Sequence, residues 1–397
     1  RFKSDGATNN TGWMAIWQCS VDNVPPVTTI TAPTDWVTQD FAASFTDTDN
    51  GTVEKSYYQV LDYDGQNWGA NANRGFFGDN FDVLNSSIWS VPPSSGTWSA
   101  IAGNLYQSDS TINNTNIYAS LNQNLSNRYL YHFTARLESQ AYSTNQRRYG
   151  FHFHCDTGNV PQRGNSYFIF FRQELSRLEF YKVTNSNAVQ TKVVENVPII
   201  VGQWYDIKII HDRVTGKIDV YRDNDFIGTW TDPAPHATPG DYVSFRTGHS
   251  KVSFGELKVY RSRYPSVTVS VGNASADIRY QNPNPATYGA KIKSICNDAV
   301  GNLSAIAYHD LKIDWTPPNA VSVYDGSGID VDETFDNTTL SANWTNAIDA
   351  NSGLVEYFYA IGSSYGGTDI VGWTSNGLNT TATINGLNLT NGETYYV

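Results

Sequence analysis

From Tyr129 onward apolar and polar positions alternate in short runs, the period of half-buried β-strands rather than of helices. The runs are Tyr129–Leu137, Tyr149–Cys155, Tyr167–Arg172, Leu178–Val183, Trp204–His211, Lys217–Arg222, Asp223–Trp230 and Tyr242–Thr247. Asp223-Asn224 and Val214-Thr-Gly216 supply hairpin turns. Strands recurring at roughly eight- to twelve-residue spacing predict a β-sandwich or jelly roll. The expected fold class is all-β: tandem sandwiches, with one inserted into another.

The insertion follows from an internal repeat. Asp22-Asn-Val-Pro-Pro26 is echoed by Asp314-Trp-Thr-Pro-Pro318, and paired prolines cannot continue a ladder, so each marks a module start. Gly51–Val60 parallels Gly353–Ile361, and Trp68 matches Trp373. In the second copy Leu340–Trp344, Val355–Ile361, Ala382–Leu387 and Gly392–Val397 read as strands, stopping before a last one. The first copy has its early strands within 41–63. Its late ones, Val267–Val271, Ala276–Ile278 and Thr287–Ile295, which match the second copy's ending, come some two hundred residues later. The expected domains are therefore 1–21, 22–75 with 264–314, 76–263 as the insert, and 315–397.

Three resemblances attach to these segments. Phe2, Ser4, Asp5, Gly12, Trp13, Ala15 and Trp17 resemble the last hairpin of a CUB domain, which makes Asp5 a calcium-ligand candidate. The two copies resemble fibronectin type III or immunoglobulin-like modules. The phrases Gly202-Gln-Trp-Tyr-Asp-Ile-Lys208 and Gly216-Lys-Ile-Asp-Val-Tyr-Arg-Asp223 resemble the concanavalin A-like, LamG-type jelly roll, a family of lectins, glucanases and sugar-binding modules.

Composition agrees with pleated structure. Aromatics reach 14% and there is one Met in 397 residues. A net charge of −12 argues against a nucleic-acid partner, which needs a basic stripe. No apolar run is long enough to span a bilayer, and no signal peptide is visible. Cys19, Cys155 and Cys296 are too few and too scattered for a disulfide framework. Cys155 and Cys296 are expected as buried thiols.

Glycosidases on this fold carry Glu-x-Asp-x-Glu on one strand, and no such string occurs here. The segment is expected to be non-catalytic. Strict alternation puts Tyr149, Phe151, Phe153 and Cys155 in the core. Arg148, His152 and His154 then share the opposite face with Phe168, Phe170, Arg172 and Arg246. Aromatic faces stack on sugar CH groups, and Arg and His fix hydroxyls or carboxylates, so this face is the candidate carbohydrate site. The plainer alternative is a sheet surface beneath a loop. For calcium as a structural cofactor, acidic loops offer Asp47, Asp49 and Glu54, and Asp330, Asp332 and Asp336; the jelly-roll resemblance implies a further site where first and last strands meet, at Asp79, Asp82 and Glu256. The expected role is an extracellular, secreted or cell-surface adhesion segment of a bacterial protein, with polysaccharide or glycoconjugate as partner. The alternatives are a structural stalk that self-associates through module edges and, behind it, a lyase or hydrolase.

Overall fold

The computed structural model describes residues 22–37, 40–63, 68–139, 147–263, 268–272, 278–279, 290–314, 317–350 and 352–397. The hairpin 1–21, with Asp5 and Cys19, lies outside them. Among the described residues the protein is all-β, with one short 3-10 turn at Ala72–Arg74.

The alternating runs form strands at Arg128–Ser139, Arg148–Cys155, Ser166–Arg172, Arg177–Thr184, Trp204–Asp212, Lys217–Arg222, Asp225–Thr231 and Tyr242–Gly248. Asp223 and Asn224 take φ of 56° and 70°, as a two-residue hairpin turn requires, so the strand expected from 223 starts at Asp225. Ile117–Ser120 and Asn187–Val194 were not anticipated, the first because its alternation is brief and the second because its side chains are largely exposed.

Two sheets face each other. One runs Asn187–Val194, Arg177–Thr184, Ser166–Arg172, Arg148–Cys155, Tyr242–Gly248, Ile117–Ser120 and Trp89–Ser90. The other runs Asp225–Thr231, Lys217–Arg222, Trp204–Asp212, Arg128–Ser139 and Leu257–Ser262. Between them lies an aromatic core containing Phe133, Tyr149, Phe151, Phe171, Phe245 and Phe254. Each fully buried ring of this kind stabilises the fold by about 1.5–3 kcal/mol. Phe77–Asp79 pairs with Leu257–Ser262, Gly78 opposite Lys258, so the first and last strands of the jelly roll are neighbours. That adjacency lets the chain leave and re-enter a host sandwich at one place.

The host pairs its own strands across the intervening residues. Phe41–Thr48 bonds with Thr268–Gly272, and Val53–Tyr63 with Lys291–Asp298. Alternation along Val53–Tyr63 turns Tyr58 into the host core, beside Phe45, Val60 and Ile292, and Tyr57 to the other side. Tyr57 there meets Leu130, Ile210, Tyr221 and Tyr260 of the jelly roll. Leu257–Ser262 also bonds directly to Val53–Tyr63, Arg261 opposite Tyr58 and Ser262 opposite Tyr57. One sheet thus continues from the jelly roll into the host. Where the two strand sets diverge, buried Gln59 Nε2 donates to Phe77 O (2.8 Å) and Val259 O (3.1 Å), satisfying carbonyls the ladder leaves.

The C-terminal sandwich sets Val323–Asp325, Thr339–Trp344 and Thr381–Asn385 against Tyr357–Ile361 and Val371–Gly377. Trp344 packs with Ala342 and Ala382. Trp373, aligned with Trp68 in the repeat, is 70% exposed, whereas Trp68 packs against the host core. Residues 392–397 make one bridge, Gly362 to Tyr396, in place of the expected strand.

Candidate functional site

The outward face of the seven-stranded sheet carries the predicted constellation in three rows. The first places Gly248, Arg148, Arg172 and Arg177 side by side. In the second, Arg246, Gly150, Phe170 and Glu179 are neighbours, and in the third Ser244, His152, Phe168 and Tyr181. Alternation delivered Arg148, His152, Phe168, Phe170, Arg172 and Arg246 to one face, because the pleat sends every second side chain the same way.

His154 is a correction. The register slips between His152 and Cys155, and His154 takes a φ of 52°. This bulge adds a residue and inverts the alternation beyond it. The His154 ring therefore packs inside, 4.7 Å from His211 and 6.1 Å from Tyr129. Cys155 turns instead toward Ser166 and Arg163, where burial pushes its thiol up to about 12. Cys155 and Cys296 are both buried and free.

Planar groups are stacked along the third row. His152 lies 4.2 Å from Phe168 at 15°, and Phe168 lies 4.3 Å from Tyr181 at 11°. The Arg148 and Arg246 guanidiniums sit 4.8 and 5.0 Å from the Phe170 ring centroid. Gly150 makes this packing possible: a Cβ there would lie 1.9 Å from Ile169 O and 2.7 Å from the Phe170 ring. Burial, with Arg163 and Arg246 nearby, holds His152 neutral well below the usual imidazole range.

Half of the face is covered. The connection 156–165 folds over the Ser244 end and inserts Arg163, which is wholly buried. Its guanidinium donates to Ser244 Oγ, Asn114 Oδ1 and the carbonyls of Pro161, Thr115 and Phe245, at 2.7–3.3 Å. All are neutral acceptors, and desolvation brings Arg163 down to about 9. The other half, around Arg148, Arg172, Arg177 and Tyr181, is only part-buried. Two carboxylates belong there. Glu179 takes Arg172 at 3.1 Å, Arg177 at 2.5 Å and the Tyr181 hydroxyl at 2.8 Å. Glu174 takes Arg172 at 2.7 Å. The second oxygen of Glu174, Oε2, is enclosed without a hydrogen-bond partner.

Sequence reasoning missed Arg163, Arg177, Glu179 and Tyr181, and also Asn113 and Gln162, whose side-chain oxygens accept from Arg148 and Arg246. Glu179 and Tyr181 were recoverable, since Leu178 and Phe180 point inward and their neighbours must point outward. Arg163, Asn113 and Gln162 lie in loops, where no period exists to place them.

The acidic candidates are redistributed. Asp47 pairs with Arg263 at 2.5 Å and accepts from Ser56 Oγ. Glu54 pairs with Lys55 at 3.2 Å. Asp79 accepts from Phe81 N and from Trp89 Nε1 at 2.7 Å, Asp82 accepts from Asn80, and Glu256 pairs with Lys258. Asp330 accepts from Asp325 N, and Asp336 from Thr338; beside Asp330 and Asp332, burial raises the Asp325 carboxyl. Among the described residues, Asp49 gathers instead with Asp22 and Asp298, one carboxylate oxygen of each within 4.8 Å of the others. Asp49 Oδ1 is enclosed there without a hydrogen-bond partner. Asp22 and Asp298 come from the Pro-Pro linker and the 297–302 turn, far away in sequence, so local spacing gave no sign of them.

No family model matches the sequence, and no curated protein matches it. Among solved structures the chain is similar to carbohydrate-binding module CBM66 from Bacillus subtilis, at 14% identity and TM-score 0.33, over 43% of this chain and 92% of that one. It is similar to a Bacillus licheniformis β-glucanase, at 16% and 0.35, over 47% and 98%. A third is the Caenorhabditis elegans galectin LEC-6, at 10% and 0.29, over 44% and 98%. The assignment of an all-β jelly roll within a sandwich rests on the strand pairings described above.

Proposed function

We propose that the jelly roll binds carbohydrate on the open half of its outer face, within a non-catalytic, extracellular adhesion segment. The observation that carries this is Tyr181, a half-buried ring backed by Phe168 and His152 and flanked by Arg148, Arg172 and Arg177. A rigid aromatic platform beside fixed guanidinium donors suits a sugar ring, stacking on its CH face while hydroxyls accept hydrogen bonds. Both nearby carboxylates are held by arginines, which supports binding rather than glycoside hydrolysis. Calcium fits a separate place, where Asp22, Asp49 and Asp298 would supply hard oxygen ligands and pin the linker to the host sandwich. A structural stalk is the second reading. The buried Arg163 plug and the sheet shared with the host favour it.

Affinity electrophoresis of the whole chain through a panel of soluble polysaccharides tests the first reading. Retardation by at least one glycan is expected, weakened about tenfold in Tyr181→Ala through loss of the stacking face. Retardation by none overturns it and leaves the stalk. The whole chain is the right sample, because isolating 76–263 would strip Tyr57 and the Val53–Tyr63 strand from the jelly roll.

A further inference from the structure

The arginines of the outer face divide into paired and unpaired. Arg172 and Arg177 are neutralised by Glu174 and Glu179. Arg163 is a buried cation whose five hydrogen bonds offset its desolvation. Arg148 and Arg246 have neither compensation. Among the described residues they make no ion pair, and each guanidinium has one side-chain acceptor, Asn113 Oδ1 at 3.0 Å for Arg148 and Gln162 Oε1 at 2.9 Å for Arg246. The Nε of each is enclosed and without a partner, and so is His152 Nε2 close by.

Holding a buried cation, Arg246, and a part-buried one, Arg148, around one phenyl ring, with a donor of each unused, is costly unless an anion completes the arrangement. Guanidinium is the side chain suited to that task, since its fork matches the paired oxygens of a carboxylate or sulfate. Gly150 and Gly248 keep the sheet beneath them bare; a Cβ at Gly248 would approach Arg148 Nε to 3.0 Å. The chain as a whole carries −12, so general electrostatics would repel a polyanion. Attraction has to be local to this pair.

We infer that Arg148, at the open half of the face and with the buried Arg246 charge behind it, seats the anionic group, carboxylate or sulfate ester, of an acidic polysaccharide. The inference rests on the carbohydrate reading and narrows its substrate class. The probes are polygalacturonate for carboxylate and dextran sulfate for sulfate, against neutral dextran and laminarin, with the whole chain titrated at low and high salt. Binding to one or both acidic polymers is expected, weakening as salt rises. Arg148→Gln should lower that affinity about tenfold or more, by loss of a charge-assisted contact, while Arg148→Lys, which keeps the charge without the fork, restores only part of it. Which acidic polymer binds identifies the group. Neutral glycans binding as tightly as acidic ones, independently of salt, would overturn the anion seat and leave carbohydrate binding standing. Failure of all four polymers overturns the anion seat, and the broader panel then shows whether sugar binding falls with it. Should Arg148→Gln unfold on heating earlier than the parent, the parent's acidic-over-neutral preference and salt dependence decide the matter.

Discussion

His154 shows how one backbone angle redirects chemistry. Its bulge exchanges an expected outward imidazole for a thiol and sends the ring into a buried group with His211, Tyr129 and Phe153. His154 Nε2 and both His211 ring nitrogens are enclosed there without hydrogen-bond partners. Burial brings His211 down to about 3, against about 6.5 in an unfolded chain. Between those values the unfolded state binds more protons, so stability is complete above roughly pH 6.5 and falls as the pH drops. At pH 5 the loss from His211 alone is about 2 kcal/mol. Urea midpoints measured at pH 7 and pH 5 should therefore drop for the parent and drop less for His211→Leu, which removes the titration. Equal pH dependence in both proteins would show that His211 is not the group responsible.

At the element scale, the outer face depends on a strand that gives up a side chain. Gly150 faces Phe170 across the ladder and admits no Cβ without moving Ile169's carbonyl, a backbone atom. Gly150→Ala is expected to destabilise by about 1–3 kcal/mol, the range for forcing atoms into a packed site. Gly69→Ala, where nothing among the described residues lies within 4 Å, serves as the control and should barely shift the urea midpoint. Comparable losses in the two variants would mean that steric crowding at Gly150 is not what matters. The same strands show how far the pattern was legible. Runs of six or more alternating residues were placed within about two positions, because burial of one face enforces period two. Strands of two to four residues, such as Trp89–Ser90 and Asn104–Gln107, offer too few alternations to be read.

On the scale of the whole molecule, the jelly roll and its host share one sheet and the Tyr57–Tyr260 cluster, so what touches the host bears on the jelly roll as well. Asp22, Asp49 and Asp298 join the chain's approach to the host, a loop and a turn. If calcium binds there, it stabilises the folded state by mass action, about 2.7 kcal/mol at a hundred times its dissociation constant. Differential scanning calorimetry should then show Tm rising with calcium, falling with a chelator, and losing that response in Asp49→Asn. An Asp49→Asn protein with the parent's full calcium response would dismiss these three carboxylates as the ligands.

The sequence by itself determined the all-β class, the longer strands of the jelly roll and most of the residues sharing its outer face. Each follows from a period of two sustained over neighbours in the chain, an effect local enough to read without coordinates. Tertiary structure alone decided the rest. It chose the bulge that turned His154 inward, the Arg163 plug, the arginines left without carboxylates, and the meeting of Asp22 and Asp49 with Asp298. Those outcomes depend on which segments lie against one another in space, and on what each buried charge finds when it arrives. No spacing along the chain records that.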